Sequence, residues 1–195
     1  MDAIALIPFA LITTFTPGPN NILAASVGLR SGYRKALPLL LGIAMGFTVV
    51  FLGCSMISTA LVTSPFITKV LKVIGSLYIG YLAWHTWTAS FTAVPVYETE
   101  AGGFFRGLLL QVVNIKVIMY GITIYATFLS AMPKTIWYAL ISAFSFALLS
   151  FLSTTSWALC GHLIARYTPS ARVMKGIQAL LAVALALIAI DMLIS

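Results

Sequence analysis

Six apolar runs, each long enough to cross a bilayer, follow one another along the chain: roughly Ala3–Val27, Leu37–Val62, Phe66–Thr88, Phe104–Met132, Thr135–Ile164 and Val173–Ile194. A spanning helix needs ~20 apolar residues to cross ~30 Å of hydrocarbon at ~1.5 Å per residue. No other feature limits the fold so strongly. Of the 195 residues, 61% are apolar and 8% charged, against about 45–50% and about 25% in ordinary soluble domains. A soluble fold of this length could not hide so much apolar surface. The expected fold is an all-α integral membrane protein of six transmembrane helices, with the lipid bilayer as its solvent. The first run opens without Lys or Arg and is too long for a signal-peptide core, so it is expected to be a retained span.

The connections are short. The longest, Ala89 to Gly103, holds Pro95, Glu98, Glu100 and a Gly pair. It divides a single transmembrane domain, 1–195, into repeat one (1–90), a loop (91–103) and repeat two (104–195). With three spans each, the two halves must have opposite topology. Arg30, Arg34, Lys35, Arg106, Arg166, Arg172 and Lys175 follow the odd-numbered spans; Lys69, Lys72 and Lys134 follow the even-numbered ones. Seven against three places the odd connections in the cytoplasm and both termini outside. The net charge of +7 lies between apolar runs, not on a basic face, so no nucleic-acid partner is expected. Cys54 and Cys160 sit alone in separate runs and read as small apolar residues; no metal site and no cofactor are expected. Gly42, Gly46 and Gly53 fall near one face of the second span, which suits close helix packing within the chain, with a homodimer interface as the other use. Trp84, Trp87, Trp137 and Tyr138 fall near span ends, where amphipathic rings favour the interface.

Two stretches interrupt the apolar pattern. The first is Thr16-Pro17-Gly18-Pro19-Asn20-Asn21. Two prolines around a glycine cannot continue a helix, and the freed backbone groups must face protein or a watery cavity. Pro19 suits the first turn of a new half-helix, whose N–H groups would aim partial positive charge at the break. Carbonyls ending the first half would face the same point and could take an ammonium. The second stretch is Gln111-x-x-Asn114-Ile115-Lys116. Lys116 lies ten residues beyond Arg106, so about 15 Å deep by helical rise. An ammonium at that depth is a functional candidate, with pairing to backbone carbonyls as the structural alternative. Interruptions at matching places in inverted halves point to a transporter site near the midplane. The first and fourth helices are therefore expected to be broken or kinked, the fourth without a proline to enforce it.

The spans carry one clear cation and no deep carboxylate, which favours a neutral amino acid over a cationic one. The substrate-binding candidates are Thr16, Pro17, Gly18, Pro19, Asn20 and Asn21 at the first break, and Gln111, Asn114 and Lys116 at the second, with Lys116 as counter-ion to a carboxylate. Ser150, Ser153, Thr154, Thr155 and Ser156 either line a path or bond back to their own helix. His85 and His162 read as interfacial, with a proton relay as the other use. Two further classes were weighed. A passive channel lacks a ring of like charges or a run of filter carbonyls. An intramembrane hydrolase needs a nucleophile within reach of a base, and no such spacing occurs, so an enzyme is not expected.

Thr16-Pro17-Gly18-Pro19-Asn20 early in the first span resembles the signature of the lysine exporter (LysE/RhtB) superfamily of amino-acid exporters, and the chain length, the six runs and the second motif agree. Most of that superfamily carries Asn-Pro-Lys where this chain has Asn114-Ile115-Lys116. Gln111-Val112-Val113-Asn114-Ile115-Lys116 followed by Tyr120-Gly121 is similar to the cysteine/O-acetylserine exporter branch, as is Trp157-Ala158-Leu159-Cys160-Gly161-His162. The resemblance implies a multi-pass protein of a bacterial inner (cytoplasmic) membrane. It would export cysteine, O-acetylserine or similar small neutral amino acids such as threonine and homoserine, coupled to the proton gradient.

Overall fold

In the computed structural model, residues 3–56, 65–88, 100–129, 133, 135–167 and 170–194 are described, and every secondary-structure element among them is helical. Lys134, Pro95 and Glu98, all named above, lie outside the described residues, as do 57–62 of the second run and 130–132 of the fourth. The elements are α1 (Ala3–Phe15), α2 (Pro19–Ser31), α3 (Tyr33–Met56), α4 (Pro65–Thr88), α5 (Glu100–Val113), α6 (Ile115–Thr123), α7 (Ile136–Tyr167) and α8 (Ala171–Ile194). A π-turn, Ile124–Phe128, continues α6 and is closed by the Leu129 N–H on the Ile124 carbonyl at 2.9 Å.

Among the described residues, helices α3, α7 and α8 are long and apolar enough to cross a membrane, and α5 with α6, bent by 59° at Asn114, has the length and composition for a fourth crossing if the pair is one span. Helix α5 starts before Phe104, where the apolar run begins. The backbone is already helical at Glu100, and Gly103 and Gly107 bring this end of α5 against Pro38 and Leu39 of α3. Between α2 and α3 the whole connection is Gly32, whose φ of +82° is open to glycine at no steric cost. Its N–H caps the Gly28 carbonyl at 3.0 Å, and its carbonyl accepts the Ala36 N–H at 3.2 Å.

Helix α2 runs from Asn21 to Leu29 without an exposed residue. It is an inner element, unlike α3, α7 and α8, each of which turns a row of large apolar side chains outward: Leu41, Met45 and Val49; Phe144, Leu148 and Leu152; Leu180, Val183 and Leu187. Those rows suit lipid, and Trp84, Trp87, Trp137 and Tyr138 are exposed near the ends of α4 and α7.

The broadest packing pairs α3 with α5, α2 with α7, α4 with α8 and α3 with α7. In lipid, association depends on close contact more than on apolar burial, so small residues decide where backbones meet. A Cβ on Gly42 would strike the Phe104 carbonyl, one on Gly46 the Gln111 side chain, and one on Gly107 the Leu39 carbonyl. Gly28 and Gly161 do the same for α2 against α7, where the obstacles are Ala158 and Ala25. The Gly42-x-x-x-Gly46 pair is thus spent inside the chain. Gly53 meets nothing within 4 Å. Two cores result. One is aliphatic, around Leu23, Leu40, Ile43, Ile79, Leu110 and Leu185. The other is largely aromatic, around Phe47, Phe51, Tyr120 and Phe146.

Candidate functional site

Helix α1 cannot continue past Phe15 because Pro17 and Pro19 each lack the donor the next turn would need. The Thr16 N–H still closes on the Ile12 carbonyl at 3.0 Å, and its hydroxyl bonds the same oxygen. Gly18 is extended (φ −166°, ψ 177°), Pro19 opens α2, and the Gly18 carbonyl accepts the Ile22 N–H at 2.9 Å.

The Thr14, Phe15 and Thr16 carbonyls at the end of α1 accept from side chains of α2, α6 and α7. Asn21 Nδ2 donates to Thr14 at 2.9 Å and to Thr16 at 3.0 Å, folding α2's first turn back onto α1. From α7, Ser153 Oγ donates to the Thr14 carbonyl at 2.9 Å and lies 3.2 Å from Asn21 Oδ1, while Trp157 Nε1 donates to Phe15 at 3.3 Å. From α6, Lys116 Nζ donates to Thr16 at 3.4 Å. The sequence expects these carbonyls to take an ammonium. They already hold one, that of Lys116, at the negative end of the α1 dipole.

The second break sits at Asn114, which is extended (φ −84°, ψ 97°) and caps α6 with its own side chain, accepting the Lys116 N–H at 3.1 Å. Its carbonyl takes the Val117 and Ile118 N–H groups at 3.0 and 3.1 Å. An asparagine cap does here what a proline would otherwise force, which is why the span bends sharply with Ile115 in the middle of the motif.

Three amides join the breaks. Asn20 Nδ2 donates to Gln111 Oε1 at 2.8 Å, and Gln111 Nε2 returns a bond to Asn20 Oδ1 at 3.0 Å. Asn114 Nδ2 adds a third bond to Asn20 Oδ1 at 3.1 Å, and Gln111 Nε2 also reaches the Gly107 carbonyl at 3.2 Å. Gln111 and Asn114 are 0% and 1% exposed, so their groups serve the junction before any ligand.

A cavity of about 30 Å³ opens beside this junction, lined by Thr13, Thr14, Gly18, Pro19, Asn20, Asn21, Phe47, Asn114, Lys116, Val117, Tyr120 and Ser150. It has room for only a water molecule or two. Of the nine sequence candidates, six line it: Gly18, Pro19, Asn20, Asn21, Asn114 and Lys116. Thr16 and Gln111 lie one bond behind, and Pro17 is exposed on the outer side of the bend. The half-buried Lys116 has three donors and places one on Thr16. Asp191, whose carboxylate is exposed, does not belong to the lining. A Cβ on Gly18 would lie 3.1 Å from Lys116 Nζ, so glycine leaves the seat the ammonium occupies.

The hydroxyl run on α7 divides. Thr154 and Ser156 bond back to Ser150 and Ser153 at 2.9 and 2.7 Å, whereas Ser153 reaches α1 and Ser150 reaches the cavity. Trp157, Phe47, Thr13 and Thr14 went unnamed as site residues. Their signal was spacing: Ser150, Ser153 and Trp157 recur at helical intervals on one face, in line with Gly161. His85 and His162 are half-buried and away from the cavity; His162 lies by Gly32.

A family model described as LysE type translocator matches residues 11–195, which takes in both breaks and every helix after α1's first turns. The chain belongs to this translocator family. It is a multi-pass membrane protein, and this family and its relatives are transporters by name. The translocator is 41% identical over 165 residues, 83% of each chain, to a cysteine/O-acetylserine efflux protein of Klebsiella pneumoniae. It is 38% identical over 159 residues, 81% of each chain, to one of Salmonella paratyphi A, and 36% identical over the same length to one of Escherichia coli O1:K1. No solved structure matches it.

Proposed function

We propose that this translocator exports small neutral amino acids, cysteine and O-acetylserine first among them, across a bacterial inner membrane at the expense of the proton gradient. The observation that carries the reading is the meeting of two interrupted helices around one lysine. Asn20, Gln111 and Asn114 hold the breaks together, and Lys116 stands between the negative end of α1 and the positive end of α2. A zwitterion has one charge for each. Its carboxylate would take the free donors of Lys116 beside the α2 N-terminus, and its ammonium would face the α1 carbonyls as Lys116 turns away from them. Relatives named as cysteine/O-acetylserine efflux proteins support the cargo.

Because the cavity is far smaller than any amino acid, binding must be accompanied by movement of one half against the other. The packing pattern supports two inverted three-span halves. With each broken helix taken as one span, exchanging α1–α2 with α5–α6, α3 with α7 and α4 with α8 turns the contact of α3 with the second broken span into that of α7 with the first and leaves α4–α8 and α3–α7 unchanged, although the half that carries most of the contact differs, α5 in one and α2 in the other. Both exchanged contacts close through glycines contributed by each partner.

The test is efflux from substrate-loaded or everted vesicles with labelled cysteine, O-acetylserine, threonine and lysine, with and without a proton gradient. Gradient-dependent, saturable movement of the first three is expected. In Lys116→Met it should fall at least about a hundredfold, the equivalent of ~2.7 kcal/mol, with the protein still in the membrane. Movement of lysine instead, or normal export by the variant, would overturn the cargo or the counter-ion role respectively.

A further inference from the structure

The cavity lining is of two kinds. Thr13, Thr14, Asn20, Asn21, Lys116 and Ser150 are polar, and Phe47, Tyr120 and Val117 bring rings and an aliphatic side chain. If an amino acid sits with its charges at the breaks, an apolar part of its side chain is left the rings and Val117. Those rings are held firmly. Phe47 is 3% exposed and stacks on Phe51 with centroids 4.6 Å apart. Phe51 meets Tyr120 edge-on at 5.4 Å and lies 5.1 Å from Phe146. Ala143 and Ala147 of α7 are buried in the same cluster, at 0% and 3% exposure. Moving Phe47 would disturb every ring behind it, and interiors packed this way do not deform continuously.

Lys116 is built to yield. It has a flexible stem and one long bond to Thr16. Helix α1 turns Ile7, Leu11 and Ile12 outward. Its two contacts with the Tyr120 hydroxyl, from Thr14 Oγ1 and to the Ala10 carbonyl, are long at 3.4 and 3.5 Å. Room for cargo is therefore gained first from Lys116, and from α1 only as far as the bonds of Asn21, Ser153 and Trp157 to its last carbonyls allow, while the rings stay where they are.

We infer that Phe47 sets the size limit of the exported amino acid, its ring forming the fixed wall against which the cargo side chain stops. The inference rests on the exporter reading above and adds the residue that determines specificity. In a hydrophobic pocket one methylene is worth roughly 10- to 200-fold in discrimination, so the effect of a removed ring is measurable.

The experiment measures export of alanine, cysteine, O-acetylserine, methionine and leucine in one mixture, from vesicles carrying wild type, Phe47→Leu, Phe47→Ala or Phe47→Trp at matched membrane abundance. The leucine-to-cysteine ratio should rise about tenfold in Phe47→Ala and less in Phe47→Leu. Phe47→Trp should lower O-acetylserine relative to alanine. Unchanged ratios in variants that still export cysteine would overturn the wall. Loss of all export by every variant, with the protein in the membrane, would overturn it too, because a wall residue redistributes flux and does not abolish it. Wild-type vesicles that export no amino acid would overturn the exporter reading, and this inference with it.

Discussion

Asn20 shows how little of a polar site is free for a ligand. Its oxygen takes one bond from Gln111 and one from Asn114, and its nitrogen gives one to Gln111. In a bilayer no water stands ready to replace such bonds, so the buried amides depend on each other. Asn20→Ala would leave Gln111 Oε1 and Asn114 Nδ2 without these partners, at about 1–3 kcal/mol for each stranded group. The expected result is a clearly lowered melting temperature in detergent, followed by intrinsic fluorescence. Gln111→Ala should lower it as well. The double variant should lose less than the two single losses added, with a coupling of about 0.5–3 kcal/mol. Additive losses would mean that the reciprocal pair does not hold the junction. The residue types at both breaks were legible in the sequence because prolines, amides and a lysine stand out among apolar neighbours. Who bonds whom was not. The sequence pointed to amides for the cargo, while the folded chain uses Gln111 and Asn114 to tie the two helices together. The hydroxyl that reaches α1, Ser153, looked no different from Thr154 beside it, which bonds back to its own helix.

At the scale of helices, glycine position decides which pairs come close. The sequence places Gly42, Gly46 and Gly53 near one face of α3, yet only the first two touch α5. The third meets nothing within 4 Å, although Gly121 of α6 packs against Cys54 beside it. Gly42→Val would drive a branched side chain into the Phe104 backbone, an obstacle that cannot rotate aside, and overpacking of even flexible cores costs ~1–3 kcal/mol. The expected outcome is loss of the monodisperse peak in detergent size-exclusion, or loss of membrane-inserted protein altogether. Gly53→Val, with open space around it, should elute like wild type. Equal behaviour of the two variants would mean that the α3–α5 contact does not form as described. Helix pairing of this kind could not be read from hydrophobic periodicity, because helices facing lipid on one side and protein on the other are apolar all round. The first interruption was legible because two prolines enforce it, but whether it is a kink or an unwound break was not. The second was legible only as an interruption, since a capping asparagine gives no backbone warning of a 59° bend.

For the whole molecule, the exchangeable packing of the two halves and the charge bias of the connections make independent statements about topology. Three spans in each half, where all of them cross, would require the halves to run in opposite senses through the membrane, and packing that exchanges at the level of whole spans is compatible with that. The charge bias then fixes which way. Arg34 and Lys35 at the start of α3, and Arg166, Arg172 and Lys175 around the α7–α8 connection, are exposed and would face the cytoplasm, with Thr135 on the far side. Single-cysteine labelling reads this directly. With Cys54 and Cys160 replaced by alanine, Lys35→Cys and Ser170→Cys should react with a membrane-impermeant maleimide only in everted vesicles, and Thr135→Cys only in intact spheroplasts. If Thr135→Cys and Ser170→Cys reacted from the same side, α7 would not cross and the inverted arrangement would fail. If all three positions reacted from the sides opposite to those expected, the halves would still be inverted relative to each other. The protein would then lie upside down, with its Lys and Arg outside, and the charge bias would have lost to the broken first helix, whose half-length pieces insert less decisively than a continuous span.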